Sequence, residues 1–340
     1  MTHPINPDFE TRCPYTFRPL QDPTATHSEH VDRELPEGWA NSMTLCVALA
    51  GARASGKSLY VAVLIKLLKQ FAEDLGGVVR AADQSTDERY ATYYETPFFE
   101  EMGLLPSTPP AASSEAYQRD PLIYDLGTWP VGGERRRIFL VIRDVAGEDL
   151  ENPPVDLADL EFFRHAHEVV YLFDPVTVPE IGNLLHGIVS TDSLGADPAE
   201  VLENLLRIIG PARPRMAVTL SKFDTLRSLE KRPESEWSAI MGNYGATFNR
   251  QLNPPYSGND PQLLHDEVHS LLQRLDAQRM LNLLRFEQQE GLNIRYFATS
   301  SLGKPPHGSH LQRSGIAPFR VLDPLLWLFY DAGVMDGPLR

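Results

Sequence analysis

The chain has 340 residues, 42% of them apolar, enough to bury one large core or two small ones. Its formal net charge is −15, and so acidic a surface repels phosphate backbones and anionic lipid, which argues against nucleic acid and membrane partners. The two cysteines, Cys13 and Cys46, cannot staple a chain of this size, so a reducing cytoplasm is the expected location.

Residues 1–40 are rich in Pro, Asp, Thr and His without a sustained period, and read as an extended or partly ordered N-terminal arm. Its first ten residues, MTHPINPDFE, are polar and Pro-rich and lack an apolar stretch, so a signal peptide is not expected there. Cys13-Pro14-Tyr15 is half of a zinc-ribbon pattern, but Thr16 stands where a second Cys belongs and no other pair exists, so no structural zinc is expected. From Ser42 the pattern changes. Met43 to Ala50 is a near-continuous apolar run suited to a strand buried on both faces. It ends at Gly51, and the helical stretch SLYVAVLIKLLKQF follows. The longest apolar run, Leu59 to Leu68, is interrupted by Lys66 and is too short to span a bilayer.

A polar, Pro-rich stretch (80–120) leads to strand candidates Leu122–Thr128 and Arg136–Ile142, with Val131 to Gly133 as a tight connection. A helix is expected around Leu157–His165 and strands at Glu168–Phe173, Met216–Leu220 and Ile294–Ala298. Further helices fall at Ala199–Ile209, along an amphipathic stretch from Pro261 to Gln289, and around Pro324–Ala332. In the amphipathic stretch Leu263, Leu264, Val268, Leu271, Leu272 and Leu275 form a core-facing stripe. His165 and His167 read as a helix end rather than as metal ligands. Strands alternating with helices predict an α/β fold, a mostly parallel sheet with helices on both faces.

Four motifs carry chemistry. Gly51-Ala52-Arg53-Ala54-Ser55-Gly56-Lys57-Ser58 fits G-x-x-x-x-G-K-[ST] between a strand and a helix. The backbone from Gly51 through Ala54, Ser55 and Gly56 to Leu59 is expected to wrap a β-phosphate, with the helix N-terminus adding its positive end. Lys57 would reach the β- and γ-phosphates, and the Ser58 hydroxyl would ligate Mg²⁺. Asp144-Val145-Ala146-Gly147-Glu148 follows the apolar run Ile138 to Ile142; Asp144 suits the Mg²⁺ shell and the Gly147 N–H a γ-phosphate contact. Ser221-Lys222-Phe223-Asp224 closes another strand, where Asp224 would accept from guanine's ring N–H and amine and the Lys222 stem would cover the base. Thr299-Ser300-Ser301-Leu302 ends the last strand, and a backbone N–H there would donate to guanine's O6.

In this order the four motifs resemble the boxes of the Ras-like P-loop GTPase superfamily. More narrowly, VALAGARASGKSLYVAVLI, RDVAGEDLE, LSKFD and DPLLWLFYDAG resemble the bacterial double-GTPase family. The resemblance implies a G domain over 41–340 with insertions near 73–118 and 231–290. It also implies bound GTP or GDP with Mg²⁺, a partner protein (a second GTPase, an effector or an activator), and a switch in a bacterial signalling or conflict system. A switch threonine should complete the Mg²⁺ shell; of Thr86, Thr92, Thr96 and Thr108, the Pro-flanked Thr108 is the preferred candidate.

The sequence departs from the superfamily at Arg53, where a small residue is usual, at Glu148, where many relatives carry Gln, and at Ser221, where Asn or Thr is usual. An ionised Glu148 would repel phosphate oxygens, whereas Arg53 could pair with Glu148, reach the γ-phosphate, or point to solvent. The expected activity is therefore slow GTP hydrolysis, with Lys57, Gly147, Glu148 and Arg53 as its catalytic candidates. A nucleotide-binding scaffold with little turnover is the alternative. A P-loop kinase or ATPase is disfavoured by Ser-Lys-Phe-Asp on its strand.

Overall fold

Strand β1 (Met43–Ala50) is buried along its whole length, as its unbroken apolar run requires. In the computed structural model, which describes residues 9–101, 105, 120–188, 195–232, 235–304 and 315–335, it lies at the centre of a seven-stranded sheet. Helix α1 (Lys57–Asp74) leaves β1 through the Gly51–Gly56 loop. The region expected as a first insertion contributes the short edge strand β2 (Arg80–Ala81) and helix α2 (Gln84–Tyr90), capped by the Asp83 side chain, which accepts from the Thr86 N–H. A π-helical segment, Ala91–Glu100, continues α2.

Strands β3 (Leu122–Val131) and β4 (Glu134–Arg143) form a hairpin around Gly132 and Gly133, whose φ values of +60° and +91° suit a two-residue turn. Then come α3 (Gly147–Glu151), a 3₁₀ segment (Ala158–His165), β5 (Glu168–Phe173), α4 (Pro179–Leu185), α5 (Pro198–Ile209) and β6 (Arg215–Leu220). The chain ends with α6 (Phe223–Arg227), α7 (Glu236–Met241), α8 (Asp260–Arg274), α9 (Gln278–Gln289), β7 (Ile294–Ala298) and α10 (Asp323–Asp331). The sheet order is β2-β3-β4-β1-β5-β6-β7. Strands β4, β1, β5, β6 and β7 are parallel, whereas β3 runs antiparallel to β4, and β2 to β3. The chain winds from β1 outward to β3 and β4, then crosses back to β5, so the carboxyl ends of β4, β1 and β5 open the crevice where an α/β sheet binds ligands.

Two expectations meet the structure differently. The stretch from Pro261 to Gln289 is two helices, because Asp276 takes φ +60° and no right-handed helix passes through that geometry. Of its stripe, Leu264, Val268, Leu271, Leu272 and Leu275 are buried, but Leu263 is 43% exposed. The N-terminal residues from 9 to 40 have only two isolated bridges, yet Phe9, Cys13, Phe17, Leu20, Leu35 and Trp39 belong to the core. Trp39 packs on Phe139 with centroids 4.6 Å apart and donates its indole N–H to the Arg12 carbonyl. Their irregular spacing hid this burial, since the segment packs as loops rather than with a period of 2 or 3.6. No helix among the described residues is long and apolar enough to cross a membrane.

Candidate functional site

The loop between β1 and α1 has a shape that depends on its glycines. Gly51 sits at φ +146°, and a Cβ there would lie 2.1 Å from the Leu172 carbonyl oxygen. Gly56 turns into the helix at φ +92°, and Ala54 also occupies the left-handed region at φ +58°. Helix α1 starts with no side-chain cap, and an N-terminus of that kind attracts anions. The Lys57 ammonium is buried in the bowl of the loop and donates to the carbonyls of Gly51 at 2.8 Å and Ala52 at 2.9 Å. Burial lowers its pKa, opposed first by the charge of Asp144. Arg53 and Ala54 lie exposed on the rim, and Leu59 packs against the core.

Asp144, directly after β4, is brought beside the loop. Ser58 Oγ donates to Asp144 Oδ2 at 3.2 Å, across 86 residues of chain. Burial raises the Asp144 pKa, and the Lys57 charge pulls it back down. Gly147 is pressed against the loop: a Cβ would stand 2.1 Å from Arg53 N, so no other residue fits without moving backbone. The Glu148 carboxylate pairs with the Arg53 guanidinium at 2.9 Å. Glu151 Oε1 accepts from the Arg53 main-chain N–H at 2.7 Å.

On the other side, Ser221 Oγ lies 2.8 Å from both the Ser55 and the Phe173 carbonyl oxygens, tying the end of β6 to the loop. Lys222 takes the left-handed φ of +48° and extends Nζ to Asp174 Oδ2 at 2.6 Å. Asp224 is half-buried and accepts from Ser300 Oγ; burial raises its pKa and that hydrogen bond lowers it. Ser300 is bridged through its main chain to Phe319, and its hydroxyl also accepts from the Gly303 N–H at 2.8 Å. Ser301 and Leu302 follow, half-buried, with the Leu302 carbonyl accepting from Ala317 N–H at 2.9 Å.

Ser58 thus meets Asp144, Arg53 meets Gly147 and Glu148, Ser55 meets Ser221, and Asp224 meets Ser300 beyond the carboxyl ends of the parallel strands, with Lys222, Ser301 and Leu302 beside them in the chain. Thr108 lies outside the described residues. Thr86 is fully buried and its hydroxyl accepts from the Ile123 N–H at 3.1 Å, a role in the fold rather than the crevice. His165 ends the 3₁₀ segment, but His167 lies beyond it, buried, with Nδ1 accepting from Cys46 N–H at 2.9 Å. Asp174, Glu151 and Arg320 were missed by motif reading. Asp174 follows β5 as the motif Asp and Ser follow β4 and β6, and that shared position was the available signal. Arg320 is buried against Asp260 and Asp323 and holds the chain beside Phe319.

A phosphate and a divalent cation fit these residues. The bowl offers uncapped helix N–H groups, a buried ammonium, and a buried Ser55 hydroxyl that has no partner among the described residues. Ser58 and Asp144 would supply two oxygen ligands to Mg²⁺, a cation that takes few protein ligands and keeps phosphate and water oxygens. Among the described residues no group of three or more His, Cys, Asp or Glu is placed to hold a metal ion.

Sheet order, the Gly-rich loop between the central strand and α1, and Asp144 at the neighbouring strand end define a P-loop NTPase fold of the α/β class. No protein-family model matches the chain. It is 42% identical over 323 residues, 94% of its own length and 83% of the other's, to SaeC of Mycolicibacterium smegmatis (strain ATCC 700084 / mc(2)155), described as a candidate ESX-1 scaffolding and assembly protein. The chain belongs to the SaeC family. Among solved structures, the bacterial selenocysteine-specific elongation factor EF-Sec aligns over 75% of this chain at 12% identity and TM-score 0.27. A protein of Thermus thermophilus aligns over 86% at 13% identity and TM-score 0.30. The chain spans 26% and 40% of those two structures.

Proposed function

We propose that this protein binds a guanine nucleotide with Mg²⁺ in the crevice and acts as a GTP/GDP-controlled switch with slow hydrolysis. The observation that carries the reading is the Ser58–Asp144 contact at the mouth of the Lys57 bowl, which joins a phosphate cradle to a cation pair. Lys57 and the α1 N-terminus would hold the phosphates, Ser58 and Asp144 the Mg²⁺, and Asp224 with the Ser300–Leu302 backbone the base. Bound Mg²⁺ would offset charge on the phosphates. The Ser221 tie to Ser55 supports a shared site, because it couples the base loop to the phosphate loop. Cys13 and Cys46 are buried and free, which supports the cytoplasm.

A second reading, a nucleotide-binding scaffold with little turnover, is favoured by the Arg53–Glu148 pair, which engages both groups placed to assist hydrolysis. Either state would be read by a partner protein, and the scaffolding and assembly role in the relative's name supports such a partner. A switch of the bacterial double-GTPase kind remains the narrower proposal. The test measures binding of GTP, GDP, ATP and ADP with and without Mg²⁺, then follows phosphate release over hours. Preference for adenine nucleotides, or binding of none, would refute the proposal; tight GTP binding without release would select the scaffold.

A further inference from the structure

The loop from Gly51 to Ser58 has two ends that face different parts of the crevice. The Ser55 carbonyl receives the Ser221 hydroxyl from the base side. Arg53, two residues earlier, abuts Gly147, whose segment is proposed to sense the terminal phosphate. At that end a carboxylate of the chain itself already occupies the loop. Glu151 Oε1 accepts from the Arg53 N–H at 2.7 Å and from the Ala196 N–H at 3.3 Å. Two main-chain N–H groups converging on one anionic oxygen make a small anion cradle, and a phosphate oxygen is bound by the same chemistry.

The neighbours hold this arrangement. Asn204 Nδ2 donates to the Leu150 carbonyl at 3.0 Å and the Glu151 carbonyl at 3.4 Å, pinning the end of α3 to α5. A Cβ on Gly195 would lie 2.7 Å from the Arg53 carbonyl oxygen, so the segment before α5 lies directly on the loop. The Arg53 guanidinium is turned to Glu148, so the Glu151 carboxylate is held by main-chain N–H groups, with its charge also felt by the buried Lys57 ammonium.

We infer that Glu151 is a specificity-determining residue that favours a nucleoside diphosphate over the triphosphate. The inference rests on the nucleotide-binding reading. A diphosphate draws on Lys57, Ser58 and the helix N-terminus and leaves the Glu151 contacts in place. A third phosphate adds negative charge at the Arg53 end, where it competes with Glu151 for the same N–H and is repelled by it. Displacing the carboxylate frees the Ala196 N–H next to Asp197, the N-cap of α5, and so carries the triphosphate signal to that helix.

The test titrates the full chain with GDP and with a non-hydrolysable GTP analogue, both with Mg²⁺, by calorimetry, for wild type, Glu151→Gln and Glu151→Asp. Wild type should prefer GDP at least tenfold. Glu151→Gln should cut that preference at least fivefold by tightening the analogue, with GDP affinity within about twofold. Glu151→Asp, which keeps the charge but shortens the reach, should fall between. Amide exchange of peptides within 195–205 should rise in wild type with the analogue and not with GDP. Wild type that binds neither nucleotide overturns the nucleotide reading itself. Wild type that binds both without preference, or a ratio unchanged in Glu151→Gln, overturns the role of Glu151 and leaves that reading standing. Should Glu151→Gln lose GDP binding through misfolding, wild-type exchange decides: equal exchange at 195–205 with both nucleotides overturns the inference.

Discussion

Replacing Glu148 by Gln keeps the side chain's size and removes its charge, so it separates two consequences of the Arg53–Glu148 pair. The two side chains are 45% and 40% exposed, and a pair that open to water contributes about 0–1 kcal/mol. Freeing Arg53 from it therefore changes the population of available guanidinium by about fivefold at most. Removing the carboxylate's repulsion of a γ-phosphate is the larger effect. At ~4 Å and an effective dielectric near 20 two unit charges repel by about 4 kcal/mol, but for a side chain 40% open to water screening cuts this to about 1–2 kcal/mol, roughly five- to thirtyfold in rate. Single-turnover phosphate release from GTP-loaded protein distinguishes them. An acceleration below about fivefold traces to a freed Arg53, and one well above tenfold to relief of repulsion. Arg53→Ala should slow release in both backgrounds if its guanidinium reaches the γ-phosphate. Brisk wild-type turnover, untouched by either substitution, would refute the reasoning.

Asp224→Asn swaps an acceptor for a donor opposite guanine's ring N–H and amine; with unpaired groups costing ~1–3 kcal/mol each, GTP affinity should fall at least tenfold, and equal affinity in a competition assay would exclude Asp224 from base recognition. Because burial raises the Asp224 pKa, guanine nucleotide affinity should begin to weaken on acidification at a higher pH than an ordinary aspartate would allow, measurable by titrations across pH. Ser58→Ala should weaken binding of the magnesium complex more than of metal-free nucleotide; equal losses in the two titrations would remove Ser58 from the cation's shell. Glu168 is fully buried with neither carboxylate oxygen partnered among the described residues, and burial pushes its pKa well above the usual range against the pull of Arg215. The folded chain therefore holds this proton where the unfolded chain has lost it, so stability is full below the unfolded value of 4.5 and is lost as pH rises from there toward the folded pKa, by at most about 1.4 kcal/mol per pH unit. Glu168→Gln should remove that slope in denaturant melts at pH 5 to 8; an unchanged slope would contradict it.

Much of the site could be read before folding because its parts are local. A phosphate-wrapping loop needs its glycines, Lys and Ser at fixed separations between a strand and a helix, and Gly51 to Ser58 has them in eight consecutive residues. Asp144, Asp224 and Ser300 were legible for a related reason. Each follows an apolar run short enough to be a strand, and parallel strands deliver their carboxyl ends to one edge of the sheet. The long stretch from Pro261 to Gln289 was legible only as helix, since its apolar stripe continues past Asp276 and nothing in the period marks the left-handed residue that breaks it.

The amino-acid sequence by itself determined the fold class, the strands that carry the motifs and the residues proposed for a nucleotide, because periods of 2 and 3.6 and the demands of a tight loop act over a few residues. Only the tertiary structure decided which distant groups meet. Ser221 reaches Ser55 across 166 residues, Glu151 reaches the Arg53 N–H across 98, and Arg12 reaches the His165 carbonyl across 153. It also decided that the N-terminal residues belong to the core, with Trp39 on Phe139. Such contacts are set by sheet order and by the close packing of loops that cross one another. Neither leaves a periodic trace in the chain, because each partner sees the other only after the core has closed between them.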